Sequence, residues 1–374
     1  MKRVGIIHPW MPQYRTTFFA NLSAELRRHE IELHVFYGDT PKEWKERNDS
    51  SQPLSMLKLP TRFIQVGNRT LSYKNLSQVR RSGPYDLLVV EQAIRNIETY
   101  ELLARRGIYD RIAYWGHGRT YTAPKSKFEE GLKVLLTKNA DWFFGYTQGG
   151  VEAMVKNGYS HSKTTVVQNS IDSQSLRDDL QSITPEQIDA FRLRHDLTHD
   201  TALYIGGIDE AKRIPFLLDA AERVYDRNRN FRLVIVGEGS LAKTIRDKST
   251  TNPWVVHLGS LFGAEKALAL TSARVLAIPG RVGLVAVDSL VAGKPIITTR
   301  WPFHAPEFEY LKHDHTMLAS ADDLDCYADT LHGAFSDDGL VERLSRNCRN
   351  DGIAFTAESM AIRFTEGIVN ALSN

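Results

Sequence analysis

The stretch AIPGRVGLVAVDSLVAGKPIITT, from Ala277 to Thr299, decides the fold of the chain. It predicts a buried strand, a turn at Gly280, an apolar helix, a second turn at Gly293 and another buried strand. A strand, a crossover helix and a second strand are typical of a parallel sheet with helices on its faces. Within this unit Arg281 precedes the helix and Asp288 lies among its apolar residues, so the segment also indicates a binding site.

The same alternation of short apolar runs and helical patterns fills the chain of 374 residues and starts again near residue 200. Two such series predict two doubly wound α/β domains, each with a parallel sheet. We place the first domain at residues 1–172, the second at 173–355, and a C-terminal helix at 356–374 that packs back on the first domain. In the polar connection, Thr184 and Gln187 predict the capped start of a helix.

The composition excludes several classes of protein. No run of about 18 apolar residues predicts a transmembrane helix, and the N-terminus lacks the apolar core of a signal peptide. The two cysteines, Cys326 and Cys348, argue against a disulfide framework or a thiolate metal site, and no histidine pair has metal-ligand spacing. We therefore expect a cytoplasmic protein without a metal site.

Positive charge is concentrated in the first half of the chain. Residues 1–170 hold 25 Lys and Arg against 16 Asp and Glu, and the remainder holds 22 against 29. The segment from Ser50 to Tyr85 contains six basic residues and no acidic one. Two interpretations stay open: a solvated face, or a surface that meets a phosphate-bearing acceptor or an anionic membrane.

Glycines follow four predicted strands of the second domain. They are Gly206 and Gly207 after TALYI, Gly237 and Gly239 after LVIV, Gly259 after VVHL, and Gly280 after VLAI. Ligands of doubly wound sheets bind beyond the carboxyl ends of the strands. Any one of these glycines is also explained by a tight turn, but together they favour a nucleotide-like ligand on the second domain.

Several motifs then come in a familiar order. LYIGGIDEAKRIPFLLDAAERV, LVIVGEGSL, VHLGSLFG and GKPIITT, preceded by PQYRTTFF, YWGHG and VVQNSID, resemble the retaining glycosyltransferases of family 4, the group 1 glycosyltransferases. The resemblance implies the GT-B fold, in which two Rossmann-like domains face a cleft. It also implies a nucleotide-diphosphate sugar on the second domain, an acceptor on the first, and catalysis without a metal or another cofactor.

A departing diphosphate needs positive charge, and backbone N–H groups with one or two cations supply it where no metal is bound. Lys212 matches the family's phosphate lysine. The family's arginine is absent at Gly207, and Arg281 is our candidate replacement. The predicted donor-binding residues are Gly206, Gly207, Lys212, Gly237, Leu261, Phe262, Gly280, Arg281, Val282, Gly283, Leu284 and Asp288.

Two of these residues occupy the positions of the family's acids, which stand eight residues apart. Asp288 keeps the second acid and can accept hydrogen bonds from ribose hydroxyls; otherwise it is a helix residue that faces solvent. Gly280 replaces the first acid. Either the backbone N–H groups of residues 280–283 meet the sugar and phosphate directly, or the protein handles its sugar differently. Phe262 belongs either to the base-contacting loop or to the core.

In the first domain, His117 resembles the family's cleft histidine, although a lone histidine is more often structural. The predicted catalytic residues are His117, Lys212 and Arg281, and the predicted acceptor-binding residues are Gln13, Tyr14, Arg15 and Arg119. We expect residues 169–172 to be structural, and residues 304–307 either to cap a helix or to bind ligand.

The sequence thus predicts a retaining, metal-independent glycosyltransferase that uses a nucleotide sugar and a glycan, glycolipid or other hydroxyl acceptor, with no nucleic-acid partner. The alternatives are a catalytically inactive nucleotide-sugar-binding subunit and a nucleotide-sugar epimerase on the same fold. Residues 50–85 and the segment Pro124–Lys138 also suggest peripheral association with an anionic membrane; for the second segment the alternative is a plain surface helix.

Overall fold

A computed structural model describes residues 1–41, 50–53, 55–67, 69–121 and 126–373, with the backbone alone for Lys127. These residues form two compact units. One contains Met1–Ile171 and Ala357–Asn374, and the other contains Asp172–Thr356. Each unit is an α/β domain built on its own parallel sheet.

The first domain has nine strands and, before the chain enters the second domain, five helices within the described ranges. The strands are β1 (Lys2–His8), β2 (Ile31–Tyr37), β3 (Leu57–Lys58), β4 (Thr61–Val66), β5 (Arg69–Lys74), β6 (Tyr85–Glu91), β7 (Tyr109–Gly116), β8 (Trp142–Gly145) and β9 (Thr164–Val166). The helices are α1 (Tyr14–Arg28), α2 (Ser77–Ser82), α3 (Ile97–Ala104), α4 (Lys127–Lys138) and α5 (Gln148–Lys156).

Seven of these strands form the predicted sheet, in the order β3-β2-β1-β6-β7-β8-β9, and all neighbours in it are parallel. The strand order reverses between β1 and β6, where a doubly wound sheet opens its crevice. One short apolar run of the first half, FIQV at residues 63–66, does not join this sheet. It lies in β4, which pairs antiparallel with β5 in a separate hairpin, because five of the six β4 residues are exposed and none can serve a buried sheet.

The second domain repeats the design with six strands. They are β10 (Thr201–Ile205), β11 (Arg232–Val236), β12 (Val255–Gly259), β13 (Val275–Ala277), β14 (Ile296–Thr299) and β15 (Met317–Ser320). Its helices are α6 (Ser173–Ser182), α7 (Pro185–Arg194), α8 (Ile214–Arg227), α9 (Ala242–Thr251), α10 (Gly263–Ser272), α11 (Val285–Ala292), α12 (Leu324–Ser336) and α13 (Asp338–Gly352). The parallel order β12-β11-β10-β13-β14-β15 reverses between β10 and β13.

The last helix, α14 (Ala357–Ser373), returns to the first domain. Phe364 of α14 stacks on Phe144 of β8 with 4.2 Å between ring centroids. Gly367 permits this approach, because a Cβ there would lie 2.5 Å from the Phe144 ring. The final helix therefore completes the core of the domain in which the chain begins.

The stretch Ala277–Thr299 folds as predicted: it ends β13, forms α11 and then β14. Gly293 ends α11 in the left-handed conformation, with φ of +64°, which costs glycine little. The predicted helix start in the connection is confirmed. The Thr184 hydroxyl accepts from the Gln187 amide, and the Gln187 side chain accepts from the Thr184 N–H in return.

Candidate functional site

The glycine turns of the second domain pack on one another at the carboxyl ends of β10 and β11. The Gly206 N–H donates to Val236 and the Gly237 N–H donates to Gly259. A Cβ at Gly237 would lie 1.9 Å from the Gly206 carbonyl oxygen, and one at Gly239 would lie 2.4 Å from that of Ile208. Part of the glycine pattern is therefore required by contacts between neighbouring turns, independently of any ligand.

Gly280, at the position of the family's first acid, lies against the backbone of the turn after β10. A Cβ at Gly280 would lie 2.5 Å from the Lys212 carbonyl carbon and 2.7 Å from the Ala211 oxygen. No carboxylate side chain fits there without displacing this backbone. The absence of the acid is thus coupled to the path of residues 211–212.

This packing brings the two predicted cations together at the switch point of the sheet. Lys212 ends a short 3₁₀ turn, Glu210–Lys212, and its Nζ donates to the Arg281 carbonyl oxygen at 2.6 Å. The Arg281 N–H donates to Ala211 at 2.9 Å, and its Nε donates to Phe303 at 3.4 Å. Both side chains are only partly buried. Two positive charges are therefore fixed by backbone carbonyls at the edge where doubly wound sheets bind ligands.

The loop that carries Arg281 is held from behind by His304. The Val282 N–H donates to His304 Nδ1 at 3.2 Å, and His304 Nε2 donates to the Thr299 carbonyl oxygen at 3.0 Å. Burial lowers the pKa of His304, although the Thr299 carbonyl opposes this shift, and the Lys212 charge lowers it further. This neutral histidine therefore supports the loop, and ligand binding by residues 304–307 stays a prediction.

Val282 lies inside the domain. Its side chain is fully buried, its N–H is bonded to His304, and its carbonyl oxygen accepts from Ala305. The predicted donor contact at Val282 therefore has no support in the structure. Since the N–H groups of Arg281 and Val282 both have protein partners, a direct role for the whole 280–283 backbone is also weakened.

Asp288 does not face solvent. It is buried on α11, and its Oδ1 accepts from Lys266 Nζ of α10 at 2.7 Å. Lys266 was not among the predicted site residues. It lies in the first turn of α10, just after the predicted base-contacting residues Leu261 and Phe262. Phe262 is 52% exposed and is therefore not a core residue. The ion pair thus joins the predicted ribose residue to the helix that follows the predicted base loop.

Arg213 is a further residue that sequence reasoning missed. It adopts the left-handed conformation, with φ of +55°, immediately before α8. Its guanidinium bonds Asp322 and lies 4.1 Å from the centre of the Phe216 ring. These contacts fix Arg213 within the domain, while its neighbour Lys212 turns to the opposite loop. The sequence does contain one signal for the position of Arg213. Pro215, the second residue of α8, marks the start of the helix and so places Arg213 just before it.

In the first domain, Arg15 of α1 is buried, with only 2% of its surface exposed. Its Nη2 donates to Asn169 Oδ1 at 2.5 Å, and its Nη1 contacts the Met360 sulfur. The rings of Tyr14, Phe18, Trp115 and Tyr146 lie within 5.8 Å of the guanidinium carbon. The structure therefore places this predicted acceptor residue in an aromatic enclosure.

His117 follows β7 and retains an exposed surface. Its ring packs on Tyr146 with 4.7 Å between centroids. Dense protein around the ring, together with the charges of Lys133 and Arg15, lowers its pKa to about 4. The lowered pKa leaves the imidazole neutral at pH 7.

The glycines on either side of His117 have structural causes. A Cβ at Gly116 would lie 2.4 Å from Gln92 Cβ, and one at Gly118 would lie 2.0 Å from the Gly150 carbonyl oxygen at the start of α5. These contacts set the position of His117 above the helix start. Of the other predicted acceptor residues, Gln13 is exposed before α1, and Arg119 stacks on Tyr121 at 4.3 Å.

Two negative observations apply to the described ranges. No three His, Cys, Asp or Glu side chains there are grouped so that they could hold a metal ion. Nor do those ranges contain a helix long and apolar enough to cross a membrane.

Known families and solved structures that resemble the chain agree with this fold. Residues 199–337 match the family model for glycosyl transferases group 1. No curated protein matches the chain. Solved structures do match over nearly its whole length. A glycosyltransferase from Rickettsia africae is 13% identical, with a TM-score of 0.70, over 100% of this chain and 99% of that one.

Two further structures agree. HepE of Anabaena, solved with UDP-glucose, is 13% identical with a TM-score of 0.69, over 99% of this chain and 100% of its own. A TarM variant from S. aureus, solved with fondaparinux, alpha-GlcNAc-glycerol and UDP, is 11% identical with a TM-score of 0.66, over 100% of both chains. The chain therefore has the GT-B fold, and residues 199–337 of its second domain are similar to the group 1 glycosyltransferases.

Proposed function

We propose that this protein is a retaining, metal-independent glycosyltransferase that moves a sugar from a nucleoside-diphosphate sugar to a hydroxyl of a glycan or glycolipid. The observation that carries the proposal is the pair of cations at the switch point of the second sheet. Lys212 and Arg281 are held together there by the 2.6 Å bond from Lys212 Nζ to the Arg281 carbonyl oxygen.

Two fixed cations are suited to a diphosphate leaving group. When the bond between the sugar's anomeric carbon and the phosphate oxygen breaks, its electron pair stays on that oxygen. Cations that are already in place stabilise this charge without reorganisation at the moment of reaction. In the retaining step, the acceptor oxygen bonds the anomeric carbon on the face that the phosphate leaves, and the acceptor proton passes to the departing phosphate oxygen.

The remaining donor contacts come from the same domain. Lys266 binds Oδ1 of Asp288, and Oδ2 is the oxygen that would accept from the ribose. The exposed Phe262, just before α10, is placed to contact the base. We propose UDP-sugars as the first donors to test, because HepE and TarM, which share the fold, were solved with UDP-glucose and with UDP.

In the first domain, we propose that neutral His117 contacts the reacting sugar, since a neutral imidazole can donate and accept hydrogen bonds without adding charge. Gln13, Tyr14 and Arg119, which are less buried than Arg15, are the stronger candidates for acceptor contacts. The enclosed Arg15 would act on the acceptor only through the residues that it positions.

A panel of nucleotide sugars tests the proposal. Thermal stabilisation and slow hydrolysis to the nucleoside diphosphate are measured together, with and without EDTA, on the wild type, Lys212→Ala and Lys243→Ala. Lys243 is an exposed lysine of α9 that pairs with Asp247 and serves as the matched control. We expect one donor to stabilise the wild type and the control, with hydrolysis that EDTA leaves unchanged. We expect Lys212→Ala to lose about 10²–10³-fold in hydrolysis rate.

Other outcomes identify the alternatives. Donor binding that is never followed by hydrolysis or transfer would favour an inactive binding subunit. Release of a modified nucleotide sugar without any acceptor would favour an epimerase. Equal activity in Lys212→Ala and the wild type would contradict the assignment of the donor site.

We also propose that the first domain associates with an anionic membrane surface. The predicted segment begins at Pro124 and Lys125, which lie outside the described residues, but α4 itself carries Phe128 and Leu135 on one face, 78% and 59% exposed. Ile64 and Val66 of the hairpin β4–β5 are also exposed, and Arg69 ties this hairpin to Glu129 of α4. We propose that these exposed apolar side chains enter a lipid interface together.

The basic residues of segment 50–85 contribute less to this surface than their number implies. Lys58, Arg69, Lys74 and Arg80 each pair with a carboxylate. We therefore expect apolar contacts to dominate. Flotation with anionic vesicles should be lost in Phe128→Ser/Leu135→Ser and kept in Leu193→Ser, which removes a still more exposed leucine from the second domain. Equal flotation of all three proteins would end the membrane proposal.

A further inference from the structure

A second basic site lies at the opposite edge of the second sheet, away from Lys212. A pocket of about 540 Å³ is open there, a volume within the range of about 300–1,000 Å³ that is usual for small-molecule sites. Lys294 and Arg274 stand at the amino ends of β14 and β13, so the pocket is at the far end of α11 from the candidate donor residues. The residues that line it are Arg192, His199, Ala273, Arg274, Lys294, Asp338, Val341, Glu342, Ser345, Arg346 and Arg349.

The lining is strongly positive. It contains five Lys and Arg side chains against two carboxylates, a formal excess of three positive charges. Arg274 contacts both Asp200 and Asp338. The other four cations form no ion pair within the described residues. They are Arg192, Lys294, Arg346 and Arg349.

Two of these cations make hydrogen bonds that do not neutralise them. Lys294 Nζ donates to the carbonyl oxygens of Thr271 and Ala273, at 3.2 and 2.6 Å, and Arg192 Nη2 donates to that of Ser272 at 3.3 Å. These carbonyls end α10 and carry about half a negative charge together. Burial, followed by the charges of Arg192 and Arg349, lowers the pKa of Lys294 to about 8, as expected where like charges are held together.

Donor groups of the pocket also remain unsatisfied. Arg192 Nε is buried and lacks a hydrogen-bond partner in the described structure. The Arg274 side chain is 91% buried, and its Nη2 touches Asp338 without hydrogen-bond geometry. Buried donors without partners are costly. An oxyanion in the pocket would satisfy them and offset the surplus charge at once.

We propose that this pocket binds a multiply charged phosphate group, either of a small phosphorylated molecule or of a lipid headgroup. Arginine forks match the geometry of phosphate oxygens, and the excess of three charges favours a dianion or a diphosphate over a single carboxylate. Arg349 lies over Gly293, beside Lys294, so helix α13 and the turn after α11 bring their cations to the same place.

Calorimetric titration with inorganic pyrophosphate tests the proposal, and it needs neither donor nor acceptor. Because the candidate donor site also attracts diphosphates, each variant is made in the Lys212→Ala background. The test protein adds Arg346→Ala/Arg349→Ala. The control adds Arg194→Ala/Arg343→Ala, which removes the same charge from exposed positions on α7 and α13 outside the pocket.

We expect Lys212→Ala and the control to bind pyrophosphate, and the test protein to bind it at least tenfold more weakly. Equal affinity in the test and control proteins would overturn the proposal, because only general electrostatic attraction would remain. All four arginines are exposed, so we expect every variant to fold, which thermal unfolding without anions verifies.

Vesicles separate the two sources of phosphate. Flotation is compared on phosphatidylcholine with and without phosphatidic acid. Loss of acid-dependent flotation in the test protein alone, without pyrophosphate binding by any protein, would identify a lipid headgroup as the ligand. Absence of both pyrophosphate binding and acid-dependent flotation would refute the site, and the glycosyltransferase proposal would be unaffected.

Discussion

Arg15 and Lys212 occupy comparable places in the two domains and use their charges differently. Each comes seven residues after the first strand of its sheet, β1 or β10, next to the switch point. Arg15 is buried among four aromatic rings and bonds a side-chain amide. Lys212 is only partly buried and bonds a backbone carbonyl. A cation at a sheet edge can therefore serve the interior of a domain or its ligand, and its surroundings decide which.

The difference follows from the element that carries each residue. Arg15 lies in the first turn of a long helix whose next residues, Phe18 and Phe19, are core residues, so its side chain is drawn toward the interior. Lys212 ends a short 3₁₀ turn that packs on the loop of Gly280. Its side chain lies along that loop, at the surface where a ligand would bind.

The largest effect expected from this comparison is on stability. We expect Arg15→Ala to lower the free energy of unfolding by about 3 kcal/mol, because it leaves a cavity and removes the buried hydrogen bond to Asn169 Oδ1. Lys212→Ala should cost about 1 kcal/mol, the usual net contribution of one hydrogen bond. Urea unfolding measures both. Similar losses in the two variants would remove the distinction between an interior and a ligand-facing cation.

The sequence was sufficient to predict those features that depend on local pattern. The alternation of strands and helices, the stretch Ala277–Thr299 and the Thr184 cap all express periodicity or capping chemistry within about twenty residues. The resemblance to group 1 glycosyltransferases rests on the same kind of local motif, and it is confirmed for the matched domain.

The sequence could not show which partner a polar residue finds across the fold. Lys266 meets Asp288 over 22 positions, and Arg15 meets Asn169 over 154. The glycine turns show the same limit. Glycine at 237 and 280 is explained by a neighbouring turn, a contact that only tertiary structure creates. For this reason, a glycine in the sequence cannot by itself distinguish a ligand contact from packing between neighbouring turns.

Gly280 provides the next prediction. We expect Gly280→Ala to lower the free energy of unfolding by about 2 kcal/mol, because the added methyl group would displace the backbone of residues 211–212. It should also weaken donor binding by moving Lys212. Gly283→Ala is the matched control, since its Cβ would meet Ala305 at an ordinary 3.5 Å. Equal stability of the two variants would show that the loop tolerates a side chain at 280, and the missing acid would need another explanation.

The smallest expected effect concerns His8, at the end of β1 near Arg15. Burial lowers the pKa of His8 to about 3, with a further contribution from the Arg15 charge, and its Nδ1 donates to the Trp10 carbonyl oxygen at 2.5 Å. Between about pH 6.5 and pH 3 the unfolded chain binds a proton that the native chain does not. Stability therefore falls as the pH falls through this window.

From pH 7 to pH 5.5 this proton should reduce the free energy of unfolding by about 1 kcal/mol. His8→Gln keeps a donor for Trp10 but cannot titrate, so the same change of pH should reduce its stability by about 1 kcal/mol less than that of the wild type. Denaturant unfolding at the two pH values measures this difference. The second domain ends its equivalent strand, β10, with Ile205, which does not titrate. An unchanged pH dependence in His8→Gln would mean that burial beside Arg15 does not keep His8 neutral in the native first domain.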